Sequence, residues 1–153
     1  MRGNRFKAVH RGDPLDPQRH HLLAVWAADC AERALPLFSG RHPHDDRPRK
    51  AVDTARAWAR GEVSVSEARA AGVEAHDAAR DATDLVSRAT ARAAGHAAGT
   101  AHMADHAPGA AKYALQAMQA ANHRRDIPDD NERTWQIEHA PEEIRPLIVA
   151  PNR

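Results

Sequence analysis

Apolar residues recur at helical spacing near the start of the chain. Asp16 is a suitable N-cap, and Pro17 suits the first helical position because a proline has no N–H to leave unpaired there. From Leu22 to Leu37 the apolar side chains return every three or four residues, which places them on one face of a helix. The pattern predicts an amphipathic helix over about 17–38.

Turn and capping residues divide the rest of the chain into further helices. Asp46 and Pro48 open the second helix and Gly61 ends it, while Ser64 with Glu67 three residues later has the spacing of a capping box. No pair of strands is predicted. The helices predicted after the first run from about 46 to 61, 65 to 81, 84 to 106, 109 to 123 and 131 to 139.

The C-terminal half is expected to hold the central helix pair. Only two residues are charged within 93–123, and the many small side chains there let neighbouring helices approach closely. Pro108 interrupts this stretch, so the chain must kink or restart there. The apolar patch at 147–149 is expected to dock on the bundle.

Alanine determines the fold class. The 153 residues include 34 alanines but only 8 leucines and 8 valines. Because alanine is the strongest helix former, we predict an all-α protein, a compact Ala-rich bundle of about five to six helices. Residues 1–15 are predicted to form an irregular arm and 16–153 a single domain. The bulky residues expected to fill wider gaps are Trp26, Phe38, Trp58, Tyr113 and Trp135.

Charge and cysteine content argue against several classes of protein. The chain has 22 Lys and Arg residues against 21 Asp and Glu residues, scattered along its length, so no nucleic-acid surface is expected. No apolar run approaches the roughly 18–20 residues that a transmembrane helix needs, and no membrane association is expected. Cys30 is the one cysteine, which excludes an internal disulfide and zinc motifs built on cysteine pairs. We expect a cytoplasmic protein.

Histidine is the residue type that suggests a site, with eleven in the chain. His102 and His106 are four residues apart, so on the predicted helix 84–106 they share a face and could bind one divalent metal ion. His96 would lie about 100° away around that helix. A third ligand could come from another helix, the candidates being Asp29, Glu67 and His76. The competing interpretation is that the histidines form hydrogen bonds inside a tight bundle, with Asp29, Asp105 and Tyr113 as candidate partners.

Two short polar clusters have both a structural and a functional interpretation. Asp29 and Arg33 are four residues apart, as in an ordinary ion pair on a helix surface, and Cys30 between them is expected to be core rather than a nucleophile. Asp46 is expected to cap the second helix. Arg47 beside it could still present its guanidinium to a carboxylate or a phosphate.

The predicted third helix carries charges of both signs. Such a helix usually has a solvated face, but exposed acids and bases on one helix are also what a protein-binding surface uses. If the partner is a protein, its contacts are expected here. The charged and histidine positions are Glu67, Arg69, Glu74, His76, Asp77 and Arg80.

Four segments of the chain resemble a known family: WAADCAERALPLF, DDRPRKAVDTARAWARGEV, SEARAAGVEAHDAARDA and AAGHAAGTAHMADHAPGAAKYALQA. Over about 15–140 they are similar to the successive helices of the Imm-5-like putative immunity proteins of actinobacteria. The most specific part is DDRPRKAV with Trp58 and Gly61 behind it. The resemblance implies an all-α fold and neutralisation of a cognate toxin by protein–protein binding. The polar positions that match are Asp29, Asp46, Arg47, Glu67, His76, Arg80, His96, His102 and His106.

The same polar positions could instead line a pocket inside the bundle. The second hypothesis is a small-molecule- or metal-binding helical protein, a group that includes enzymes and resistance proteins of secondary metabolism, and whether the chain is an enzyme stays open. A homodimer is compatible with the few bulky residues. The candidate ligand-binding residues are Asp29, Asp46, Arg47, Trp58, Glu67, His76, Arg80, His96, His102, His106 and Tyr113, with His102 and His106 as candidate metal ligands.

Overall fold

Seven α-helices make up the computed structural model, which describes residues 15–124 and 131–149. The all-α prediction is confirmed, and the helix count exceeds the predicted five to six because the C-terminal patch forms a short helix of its own. The helices are α1 (Pro17–Ser39), α2 (Arg47–Ala59), α3 (Val65–Asp81), α4 (Leu85–Gly99), α5 (Ala107–Arg124), α6 (Glu132–His139) and α7 (Arg145–Val149), with a 3-10 turn at Ala104–His106 before α5.

The predicted caps of α1 and α3 are confirmed. The side chain of Asp16 accepts a hydrogen bond from the backbone N–H of Arg19 at 2.7 Å. Ser64 and Glu67 form a reciprocal capping box at the start of α3, which satisfies two donors that the first turn leaves unpaired. Gly61 follows the end of α2 with φ of 77°, a left-handed conformation that glycine adopts without steric cost.

The cap predicted for α2 is wrong in detail. Asp46 occupies the N-cap position, but its side chain accepts no capping hydrogen bond and lies 3.6 Å from the Lys50 ammonium instead. Asp45 accepts from the backbone N–H of Arg47 at 3.2 Å and from its guanidinium at 2.7 and 2.9 Å. The bidentate pair explains the difference, because only Asp45 reaches both groups of Arg47.

Helix α4 lies at the centre of the bundle and packs against α1, α2, α3 and α5. Its contact with α5 is the most extensive, as the low charge of this stretch predicted. The two helices meet through alanines, of which Ala94, Ala98, Ala110 and Ala114 are fully buried. Small side chains at the contact bring the backbones close together, so that histidine rings become the largest groups between them.

The fourth helix is shorter than predicted. It ends at Gly99 rather than near residue 106, and Thr100 closes its last turn by donating a side-chain hydrogen bond to the carbonyl of His96. The chain then reverses through a turn before α5 begins at Ala107. Pro108 therefore lies in the first turn of α5, where the missing N–H costs nothing, and it produces a restart rather than a kink.

Polar contacts fasten α6 to the bundle. The indole N–H of Trp26 donates to the carbonyl of Gln136 at 2.8 Å, and the Gln136 side chain donates to the carbonyl of Ala111 at 2.9 Å. Arg33 makes a bidentate pair with Glu132, whose side chain is only 6% exposed. Trp26 and Gln136 are both buried, so each needs its partner, and α6 is held in one position.

The C-terminal patch docks on the bundle as predicted. Leu147 and Ile148 pack against the core, while Val149 at the end of α7 stays exposed. Of the five bulky residues expected in the core, Trp26 and Phe38 are fully buried and the other three are half-buried. None of the helices described combines the length and apolar character that crossing a bilayer requires.

Candidate functional site

Three histidine rings from separate elements meet along the seam between α3, α4 and α5. The Nδ1 atoms of His96 and His106 are 2.9 Å apart, within hydrogen-bond distance. His76 of α3 meets His96 edge-on at a centroid separation of 5.1 Å, and Tyr113 of α5 stacks on the other side of His96 at 5.3 Å. We call His76, His96 and His106 the histidine cluster.

Glycines make the space that the histidine cluster occupies. A Cβ placed on Gly95 would lie 2.7 Å from the ring of His76, which is closer than carbon atoms can approach. At Gly99 the nearest ring is that of His106, at 3.3 Å, and at Gly109 it is that of His96, at 3.1 Å. Each ring therefore lies directly on a helix backbone at a position where the chain has no side chain.

His76 resists protonation. Burial lowers the pKa of its imidazole below the usual value, and the nearby positive charge of Arg92 lowers it further. Arg80 acts in the same direction from within α3, although its guanidinium is already paired with Asp77. The buried Nδ1 of His76 has no hydrogen-bond partner among the described residues. The ring is thus held neutral at neutral pH by desolvation and by its basic neighbours.

Gly95→Ala should destabilise the protein by about 1–2 kcal/mol. Overpacking against His76 costs about 2–3 kcal/mol, and the higher helix propensity of alanine returns about 1 kcal/mol. Combining it with His76→Ala should relieve the clash, so the double variant should be at least about 1 kcal/mol more stable than the sum of the two single effects. Urea unfolding of the four proteins measures this coupling.

Gly72→Ala is the matched control for that cycle. Its Cβ would meet the carbonyl oxygen of Gly95 at 3.0 Å, a backbone atom that truncating His76 cannot move away. The clash at Gly72 should therefore persist in the His76→Ala background. Equal relief at both glycines would mean that the histidine ring is not what Gly95 accommodates.

The structure does not place His102 and His106 on one helix face. Because α4 ends at Gly99, His102 lies in the following turn and His106 in the 3-10 turn, so the four-residue spacing has no helical geometry to act on. The premise of the predicted metal pair is therefore wrong. Among the residues described, no three His, Cys, Asp or Glu side chains have an arrangement that could hold a metal ion.

Asp29 joins an ion-pair network between α1, α2 and α6 rather than the histidine cluster. It accepts from Arg56 at 2.7 Å and lies 2.9 Å from the Nε2 of His139. Arg56 also binds Glu32, and the hydrogen bond from Arg56 is the main reason that the pKa of Glu32 is lowered. The ion pair predicted between Asp29 and Arg33 is wrong, because each of them pairs with a residue on another helix. Arg33 binds Glu132 of α6.

Cys30 is core, as expected. Its side chain is fully buried and reduced, and burial raises the pKa of the thiol far above its usual range. The neighbouring carboxylate of Asp29 raises it further. A thiol in this setting is not a nucleophile at neutral pH.

Trp58 lies in a second aromatic cluster, between α1 and α2. The rings of His20 and His21 lie 4.7 and 4.9 Å from it, and the Nε2 of His20 is 2.6 Å from the carbonyl of Thr100. His20 and His21 were not among the candidates predicted from the sequence. Their positions on α1 do not indicate that they contact Trp58 of α2.

A cleft of about 300 Å³ runs between α2 and α3. Ala70 and Ala71 line it together with acidic and basic side chains. Arg47 on the α2 side is already bound by Asp45 and by Asp81 of α3, the latter at 3.0 Å. Its lining residues are Arg47, Lys50, Thr54, Glu67, Ala70, Ala71 and Glu74.

The candidate residues from sequence therefore divide between three places. The histidine cluster takes His76, His96 and His106, with Tyr113 stacked on it and Arg80 nearby. Arg47 and Glu67 line the cleft between α2 and α3, whereas Asp46 lines a separate depression formed by the turn before α2. Asp29, Trp58 and His102 lie elsewhere. No single pocket gathers the whole set.

The architecture defines an all-α bundle with a histidine-lined interior and a charged outer helix. A family model described as Imm-5 like putative immunity protein matches residues 13–143, most of the chain. The chain belongs to this family. Searches against curated proteins and against solved structures gave no match.

Proposed function

We propose that this protein neutralises a toxin protein by binding it through the outer face of α3 and the cleft beside it. We call this surface, made of Glu67, Arg69, Val73 and Glu74 on α3 with Lys50 across the cleft, the docking face. The observation that carries the proposal is Val73, a large apolar side chain 52% exposed between charged neighbours. A protein partner that covers Val73 would remove this apolar side chain from water, and the charged residues around it would form the polar rim that protein interfaces have.

The inner face of α3 explains why its outer face is available. The helix is seated on α2 and α4 through the smallest side chains, including Ala68, Gly72 and Ala75. Val65 and Val73 consequently point away from the core, at 41% and 52% exposure. Burying these two valines inside the bundle would need larger gaps than the alanine contacts leave. A partner that covers them gains about 25 cal/mol for each Å² of apolar surface removed from water.

Charge on the docking face favours a partner with a basic group opposite Glu74. On the α2 side of the cleft, Arg47 is neutralised by Asp45 and Asp81, and Lys50 lies near Asp46. Glu74 is exposed and has no ion pair within the described residues. An arginine or lysine of the partner that enters the cleft would pair with Glu74 at little conformational cost to this protein. Arg69, also unpaired there, favours a carboxylate further along the partner.

The pocket hypothesis is weaker on the geometry of the histidine cluster. Its rings bind and stack on one another and lie on glycine backbones, which is what packing inside a tight bundle requires. On the outer face of α3, Glu67 has a structural use in the capping box, whereas Arg69 and Glu74 are exposed and make no ion pair within the described residues. The family description points the same way, since immunity proteins act on toxins.

Co-expression in a bacterial host tests the proposal. As the probe we choose the product of the gene that neighbours this one, the candidate toxin, which should arrest growth when induced alone, and growth should recover when this protein is co-induced. Recovery should be lost with Val73→Glu, which places a charge at the apolar centre of the docking face. Recovery that is unaffected by Val73→Glu would exclude this surface, and arrest that persists with the wild-type protein would exclude neutralisation of that partner.

A further inference from the structure

The hydrogen bond between His96 and His106 limits how many protons the pair can hold. A bond between two Nδ1 atoms 2.9 Å apart needs one nitrogen that carries hydrogen and one that does not. A proton added to the far nitrogen of the donor ring leaves this bond intact. A further proton on the accepting Nδ1 sets two N–H groups against each other and breaks the bond. The folded pair therefore accepts at most one proton beyond its neutral state.

His76 adds a third ring that disfavours charge. Its Nδ1 is buried without a hydrogen-bond partner among the described residues, and Arg80 and Arg92 are the nearby cations. Asp77 is the opposing carboxylate and has a smaller effect. Because the His76 ring meets His96 at 5.1 Å, a proton on the pair makes a second positive charge at His76 still less favourable.

Other titratable groups lie next to the histidine cluster. Asp105 adjoins His106 in the chain, and Asp77 adjoins His76 on α3. Tyr113 stacks on His96, and Lys112 lies 5.8 Å from the Tyr113 ring. His102 is in the turn before the 3-10 segment. None of these groups changes the proton count of the hydrogen bond, because a nitrogen that accepts the bond between the two Nδ1 atoms cannot also carry a proton.

The cluster also holds the helices together. His76 of α3 lies against Gly95 of α4, and His96 of α4 lies against Gly109 of α5. The glycine backbones close one side of each ring and limit how far the rings can shift within the contact. Repulsion between two charged rings therefore favours movement of α3 or of the 104–106 turn away from α4.

We propose that the histidine cluster is a proton-operated clasp, which fastens α3 and the 104–106 turn to α4 at neutral pH and opens them on acidification. In the unfolded chain each histidine titrates near pH 6.5, so the three take up almost three protons by about pH 5.5. The folded cluster holds at most one. Unfolding then takes up about two protons, and the unfolding equilibrium constant rises up to about 100-fold for each pH unit near pH 5.5.

The direction of the pH dependence follows from the number of protons that each state binds. The unfolded state binds more protons than the folded state below about pH 6.5, so stability falls as the pH drops through this range and is constant above about pH 7.5. His76→Phe keeps a ring on Gly95 but cannot titrate, and His106→Asn removes the proton conflict with His96. In each variant, unfolding should take up one proton fewer than in the wild type. The unfolding equilibrium constant should then rise only about tenfold for each pH unit. His44→Asn, at an exposed histidine in the α1–α2 turn, should leave it unchanged.

Urea unfolding of the full chain from pH 7.5 to 5.5 measures these slopes. Slopes that are equal in the wild type, His76→Phe and His106→Asn would overturn the proposal. Should either variant fail to fold, imidazole proton resonances of the wild-type protein provide a separate test. We expect His76 to remain neutral at pH 5.5, and independent titration of His76, His96 and His106 near pH 6.5 would overturn the clasp.

Discussion

Trp26→Ala should lower the free energy of unfolding by about 3–5 kcal/mol, the range for truncating a fully buried aromatic side chain. Trp26 is 1% exposed and lies in α1 against the main core. Its N–H also holds the carbonyl of Gln136, so the substitution leaves a buried acceptor unpaired and loosens α6. At roughly 2–4 °C per kcal/mol for a chain of this size, the melting temperature should fall by about 10 °C.

Two matched variants separate packing from the hydrogen bond. Trp26→Phe keeps most of the ring and removes the N–H, so it should cost about 1–2 kcal/mol. Trp58→Ala removes the same side chain from a half-buried position and should cost clearly less than Trp26→Ala. Urea unfolding gives all three values. Equal losses at Trp26 and Trp58 would contradict the difference in burial between the two side chains.

If the proposed docking face binds the candidate toxin, Glu74→Arg should weaken that binding by about 100-fold, equivalent to about 2.7 kcal/mol. The substitution replaces the unpaired carboxylate of the docking face with a cation and places it against the partner's basic group, and like charges at an interface cost several kcal/mol. Glu74 is exposed and has no ion pair in the described part of the chain, so the fold should tolerate the change within about 0.5 kcal/mol. Titration calorimetry at moderate salt measures the affinity.

Glu138→Arg is the control for this charge reversal. Glu138 is an exposed helical glutamate on α6, away from the docking face, and its side chain makes no ion pair within the described residues. The net charge changes by the same amount, so a general electrostatic effect on association would appear in both variants. We expect an affinity within about threefold of the wild type for Glu138→Arg. Similar losses in both variants would contradict a specific role for Glu74.

The helices of this chain could be predicted where their signals are local. Asp16 with Pro17 and Ser64 with Glu67 act within one turn, so their spacing in the sequence is also their spacing in space. Alanine content set the fold class for a similar reason, since helix propensity is a property of single residues. The end of α4 could not be predicted, because Gly99 is followed by residues that a helix also tolerates.

The partners of charged residues depend on tertiary structure that the sequence does not reveal. Asp29 and Arg33 have the spacing of a helix ion pair, yet Asp29 pairs with Arg56 and Arg33 pairs with Glu132. Partners on other helices win because the helices cross there, and a partly buried bidentate pair is stronger than an exposed one on a single helix.

The histidine cluster shows the same limit. Its members could be named as candidates, but the pairing of His96 with His106 requires the chain reversal between α4 and α5. One signal was available in the sequence: glycines at 95, 99 and 109 are interleaved with the histidines, as expected where rings lie on helix backbones. The mixed charges of α3 could be read from the sequence and a binding role for them stays a prediction, whereas the exposure of Val73 needed the structure.

Native mass spectrometry of this protein mixed with the candidate toxin, both purified without metal-affinity tags, tests most directly the proposal that this chain acts by binding a toxin protein. The account predicts a stoichiometric complex in which this chain carries no small molecule or metal, and loss of that complex with Glu74→Arg. Growth recovery without any complex, together with a metal or small molecule retained by this chain, would contradict binding as the mechanism and favour the histidine-lined interior as the functional site.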